Sequence, residues 1–277
     1  IPIISAILQA SSQTIDKITL NIKKVTYKNY TVISFPLIFI FNLIIFLIFK
    51  PELSLNLFHG IFLPLIIISI ALGVGTNIIY YKALKKEKLG EMQTIGLLNR
   101  VPLILFAGIF FIDERNPVTI ILALVAALAI AWSHWEKHHF HLAKRTWPFL
   151  MWTLAIAPFG GLIAKKLLEI WNPISLQLII SAVEAIIFFS MFHKNFSKTP
   201  KEAILPLIAT NLLTSIAWIL YFFSYQSQGI VFTVLVFSIQ PLLTYFASLF
   251  LLKEKPHWKK ITAFIIVLAS IAISQIF

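Results

Sequence analysis

The sequence predicts an all-α integral membrane protein whose ten transmembrane helices form two inverted five-helix repeats. Three observations predict it: the composition, the spacing of apolar segments between basic loops, and the resemblance of one half of the chain to the other.

Of the 277 residues, 59% are hydrophobic and 12% charged. Soluble domains carry about 45–50% apolar and about 25% charged residues. A water-facing shell cannot be built from so few charges, whereas lipid accepts the apolar excess. The net charge of +12 would suggest nucleic acid in a soluble protein. Here the basic residues sit between apolar runs, which points to loops against an anionic leaflet and to the bilayer as partner, not nucleic acid. With no cysteine, disulfides, thiolate metal sites and thiol catalysis are excluded.

A spanning helix needs roughly 20 apolar residues. The spans are read at 2–20, 30–49, 61–82, 91–112, 117–134, 147–168, 173–192, 203–225, 229–252 and 260–277. The first has no basic n-region or clear cleavage site and is read as a span, not a signal peptide. Residues 203–252 hold no charge and are too long for one crossing, so Gln226-Ser227-Gln228-Gly229 is read as the turn that splits them. A membrane barrel would need alternating polarity, which these runs lack. Loops after the odd spans, together with the span ends that flank them, hold 18 of the 23 Lys/Arg. By the positive-inside rule these loops face the cytoplasm and both termini face outside.

The halves, 1–140 and 141–277, echo one another. Gly90, Pro102, Ala107, Phe110 and Glu114 recur as Gly229, Pro241, Ala247, Phe250 and Glu254, and Tyr80, Tyr81 and Ala83 as Tyr221, Phe222 and Ser224. A five-span repeat must be inverted, since five is odd. Inverted repeats are the architecture of secondary transporters that rock around a central site.

Tyr80-Tyr81-Lys82-Ala83-Leu84 with Gly90, Pro102 and Asp113-Glu114, and the second copy Tyr221-Phe222-Phe223-Ser224-Tyr225 with Gly229, Pro241 and Lys253-Glu254, resemble the EamA-like branch of the drug/metabolite transporter superfamily. Lys17 fits the lysine that closes the first helix in that family, with Lys165 its counterpart in the sixth. No cofactor is expected, and the sequence leaves the oligomeric state open; the resemblance implies a multi-pass inner-membrane transporter. Its cavity is lined by the first, third and fourth helices and their repeat mates, and its small-molecule substrate is an amino acid or related metabolite, moved outward. The sequence departs from the family in two respects. The family's termini are cytoplasmic and its second loop basic, whereas residues 50–60 here are nearly neutral; and the glycine that usually precedes the Glu of the fourth helix is absent.

Charges inside the membrane are costly and suggest function. Arg100, in the fourth span beside Asn99 and Pro102, offers a planar fork for a substrate carboxylate; the alternative is an ion pair with Glu184, in the seventh span, which is itself a candidate for proton coupling on a helix the family places at the periphery. Asn77 and Tyr80, beside Tyr81, and Thr214, Trp218, Tyr221 and Tyr225 recur at helical spacing in the third and eighth spans and are read as pathway lining. Gln9, Ser12, Gln13 and Asp16 add a polar face to the first span; Thr233, Phe237, Gln240 and Thr244 add one to the ninth, with Thr94 the counterpart of Thr233. Trp152 precedes Pro158-Phe159-Gly160-Gly161, read as a hinge or a close approach. Glu114 and Glu254 oppose the macrodipole at helix ends, which a paired lysine or a cap on the next helix would offset.

Two rival readings use other residues. His134, His138 and His139 resemble one box of a membrane di-iron enzyme, though such a site needs about three clusters. Apolar walls and basic loops would also suit a lipid or other solute flippase.

Overall fold

The computed structural model describes residues 1–87, 89, 92, 96, 99–133, 147–251, 258–274 and 276, and among these it contains no strand. The described helices are α1 (Pro2–Asn21), α2 (Tyr27–Phe49), α3 (Phe62–Leu84), α4 (Arg100–Phe110), α5 (Pro117–Ser133), α6 (Trp147–Ala155), α7 (Ala157–Leu167), α8 (Pro173–Phe192), α9 (Ile204–Gln228), α10 (Ile230–Phe237), α11 (Gln240–Leu251) and α12 (Trp258–Ser274). Two pairs, α6–α7 and α10–α11, are halves of broken rods, which leaves ten rods among the described residues.

The ends follow local chemistry. Asn116 Oδ1 accepts from Val118 and Thr119 N–H ahead of α5, and Asn172 Oδ1 accepts from Ile174 N–H ahead of α8. In both cases proline fills the first helical position, where its missing N–H costs nothing. Thr26 and Asn29 form a reciprocal capping box at α2. Each break sits beside a proline. Pro158 interrupts the α6–α7 ladder just past Ile156. Before Pro241 the ladder tightens, with Ser238 and Ile239 N–H bonding three residues back to Leu235 and Val236.

Among the described residues six stretches are long and apolar enough to cross a membrane: Tyr27–Phe49, Phe62–Leu84, Trp147–Leu167, Pro173–Lys198, Lys201–Gln228 and Ile230–Ala247. α1, expected as the first span, is not among them. Its polar residues explain why. Ser5, Gln9, Ser12, Thr14, Asp16 and Thr19 are buried while Ile3, Ile4, Ile7 and Ile18 are exposed, so its polar stripe faces protein and its apolar stripe faces outward, the arrangement lipid favours.

α1 lies along α9, α2 along α8 and α5 along α12; α3 packs on α6 and α7, and α4 on α7 and α10. The α1–α9 seam is a hydroxyl ladder: Ser5 Oγ donates to Ala217 O at 2.7 Å, and Ser12 Oγ meets Thr210 Oγ1 at 2.8 Å and Thr214 Oγ1 at 2.5 Å. The α2–α8 seam is aromatic, with Phe35 and Phe188 stacked at 3.9 Å, and is pinned by Asn42 Nδ2 donating to Ser181 Oγ at 3.0 Å.

Candidate functional site

A cavity of about 350 Å³ lies inside the bundle, walled by α1, α2, α3, α7, α8 and α9. The pathway residues Gln9, Gln13, Asn77, Tyr80, Tyr81, Thr214 and Trp218 line it, and so does Glu184. The expected wall differs from the observed one. Among the described residues the second and seventh rods line the cavity, and the fourth and ninth do not. Glu184 is therefore central instead of peripheral. Its turn of α8 also presents Gln177 and Ser181 to the cavity, and this spacing of four and three in an otherwise apolar span was the signal that could have located the wall.

Two carboxylates reach the cavity. Asp16 is buried and its Oδ1 accepts from Tyr30 Oη and, at 2.5 Å, from Thr210 Oγ1. Glu184, also buried, has no hydrogen bond or ion pair to any described residue and faces Gly73, where an added Cβ would overlap its Oε1. The glycine thus makes the space the carboxylate occupies. Tyr81 lies within electrostatic reach of both acids. Phe35, Tyr80, Tyr81, Trp218 and Phe222 supply aromatic wall.

Arg100 lies elsewhere. Its NH2 donates to Gln240 Oε1 at 3.3 Å, the guanidinium sits 5.4 Å from the Phe237 ring centroid, and NH1 is buried without a partner. The expected ion pair with Glu184 is not formed, because the two charges belong to different layers: Glu184 stands against α3, Arg100 against α10 and α11. Between them Gln240 Nε2 donates to Gln13 Oε1 at 2.5 Å, so Gln13 is cavity wall on one side and tied to Gln240 on the other.

The remaining candidates gather near that layer or along seams. Tyr221 and Tyr225 share a hydroxyl contact of 2.8 Å, and Tyr221 meets Phe237 edge-on. Asn99 Oδ1 is buried without a partner. Thr233 Oγ1 bonds Gly229 O at 2.6 Å and Ser224 Oγ at 2.7 Å, and Thr244 donates back to Gln240 O. Ser12 belongs to the α1–α9 seam. Trp152 Nε1 donates to Thr76 Oγ1 at 2.8 Å, and its ring fills the space a side chain on Gly75 would need. In α7, Gly160 lines the cavity, while Gly161 lets Leu103 of α4 approach. Thr94, His134, His138, His139 and Glu254 lie outside the described residues.

A second charged locus closes one end of the bundle. Glu114 is buried, and its two carboxylate oxygens accept from Ile230 N–H at 2.6 Å and Val231 N–H at 2.9 Å, capping α10. Lys165 pairs with it at 3.1 Å and with Asp113 at 2.8 Å. Gly229, with φ +82°, is seated on this carboxylate, and an added Cβ would lie 2.6 Å from Oε1. Both expected compensations for a glutamate at a helix end are thus present, but the capped helix is α10, far along the chain, not the one that follows. Lys17 of α1, the expected counterpart of Lys165, donates to Leu84 O at 2.8 Å and Glu87 O at 2.6 Å at the end of α3.

Comparison with known proteins finds a family likeness over part of the chain and a fold likeness over nearly all of it. Residues 146–275 match the sequence model of the EamA-like transporter family. No curated protein matches the chain by sequence. A solved structure titled "Crystal structure of protein" is similar over 99% of this chain and 96% of its own, with TM-score 0.74 and 14% identity; at that identity the likeness is one of fold.

Proposed function

On the premise that residues 146–275 belong to the EamA-like transporter family, we propose that the whole chain is a secondary transporter of two inverted repeats, 1–140 and 141–277, moving a small organic solute by alternating access. The match of residues 146–275 to that family supports a multi-pass membrane transporter of small solutes. The finer reading is export of an amino acid or related metabolite across the inner membrane. The observation that carries it is the cavity of about 350 Å³ inside the bundle, walled by rods from both proposed repeats. Concave, mostly apolar spaces with a few polar groups are how small solutes are held.

Two facts support the inverted repeat. Exchanging the first five rods for the last five turns the α1–α9 pairing into that of α3 with α6 and α7, and returns α2–α8, α5–α12 and α4–α10 to themselves. Two hydrogen bonds also join residues one repeat apart, Asn42 to Ser181 and Arg100 to Gln240, separated by 139 and 140 positions. Contacts between equivalent positions are what an internal two-fold axis generates. On this reading the Gln13–Gln240–Arg100 layer is the barrier on one side of the solute. Its parting opens the cavity toward Phe237, Tyr225, Thr233 and Thr244.

The test is uptake into proteoliposomes from a panel of amino acids, organic acids and nucleosides, with and without a pH gradient. Saturable uptake of at least one class is expected. No uptake above empty vesicles, with stoichiometric iron or zinc in the purified protein, would favour the enzyme reading built on His134, His138 and His139. A cysteine introduced beside Lys198 should resist an impermeant thiol reagent in intact cells, as the basic loops require; labelling there would reverse the orientation.

A further inference from the structure

We propose that the cavity selects solutes of net positive charge: organic amines or ammonium ions with an apolar or aromatic body. This rests on the transporter reading and narrows its substrate class.

Asp16 and Glu184 are the charged side chains on the cavity wall, both acidic, and no Lys, Arg or His is among the described lining residues. The buried cation of the bundle, Arg100, is tied to Gln240 behind Gln13 and is not part of the wall. Glu184 is 7% exposed and unpartnered among the described residues. A buried carboxylate in that state is strongly unfavourable unless a cation or proton joins it. Gly73 keeps room for it, so the carboxylate is accommodated without being neutralised by the protein.

A second, independent group points to the same ligand. Gln9 lines the cavity, is 8% exposed, and its Oε1 has no hydrogen-bond partner. A carbonyl oxygen can only accept, so the partner it awaits is a donor, which an ammonium N–H supplies and a carboxylate does not. The rings of Tyr80 and Trp218 present π-faces and apolar surface to the rest of the solute, and both attract cations. An anionic solute in the same space would bring its charge beside two carboxyl groups in a low-dielectric site and could pair with neither.

The experiment titrates the full-length protein in detergent with three probes of similar body and different charge: 2-phenylethylammonium, phenylalanine and 3-phenylpropionate, read by calorimetry. The cation should bind about tenfold or more tighter than either other probe. Glu184→Gln should erase that preference. Gly73→Ala, which drives the carboxylate from its seat, should weaken the cation in the same direction and covers the case in which Glu184→Gln fails to fold. The proposal is overturned if phenylalanine or phenylpropionate binds as tightly as the amine, or if the amine shows no saturable binding below roughly 1 mM. It is equally overturned if both variants keep the wild-type preference. The charge series in the unmodified protein decides the matter even without variants. Amine binding without vesicle uptake would instead defeat the transporter reading alone; vesicle uptake of anions without amine binding would defeat only the charge assignment.

Discussion

Glu114 and Glu184 are both glutamates buried in apolar surroundings, at 5% and 7% exposure, yet their settings are opposite. Glu114 accepts two backbone N–H groups and a lysine; Glu184 accepts nothing from the described residues. The first carboxylate joins α4, α7 and α10 at one end of the bundle, and the second faces an open space. Burial alone therefore does not separate a structural acid from a functional one. The partner inventory does, because a buried charge is tolerated by the fold only when its hydrogen-bonding capacity is filled.

The comparison can be broken by substitution. The largest effect is expected at Glu114→Gln, which leaves Lys165 with Asp113 alone, one N–H of α10 with a neutral acceptor and the other with none. Breaking a buried pair costs about 3–5 kcal/mol, to be read as a fall in melting temperature in detergent. Gly229→Ala should cost about 1–3 kcal/mol, since it combines a left-handed backbone with overlap on the Glu114 carboxylate. Glu184→Gln should instead stabilise, by about 1 kcal/mol, while abolishing uptake; a loss of stability there would make Glu184 structural after all. The smallest effect belongs to Asp113, whose carboxyl is held below its ordinary range by the hydrogen bond from Lys165. A lowered value means that its contribution is present above the usual carboxylate range, near about pH 4, and is lost as acid titrates the folded form. Because its side chain is 63% exposed, screening holds that contribution under about 1 kcal/mol, and Asp113→Asn should flatten this part of the acid profile and little else.

The rods were largely legible. Asn116-Pro117 and Asn172-Pro173 carry their own start signals, whereas of the expected Gln226-Ser227-Gln228-Gly229 turn only Gly229 divides α9 from α10, the three residues before it completing α9. The inward stripe of α1 and α9 was legible too, since hydroxyls and amides avoid lipid. What the sequence hid was rotation of the most apolar rods about their axes. α8 is apolar nearly all round, so Glu184 alone could not say whether it faced a neighbour, lipid or the centre, and only the Gln177–Ser181–Glu184 spacing held that information. The Arg100–Glu184 pairing failed for the same reason: two charges on separate rods are partners only if packing turns them toward each other, and Gln13 with Gln240 intervenes.

Seating Gly229 against Glu114 also ties together two sites that lie more than a hundred residues apart. A bulkier side chain at 229 and a shorter acid at 114 should each be harmful singly and far less so in combination. If both codons are randomised in one library, survivors should cluster on compensated pairs, so tolerance at either position is a property the two hold jointly.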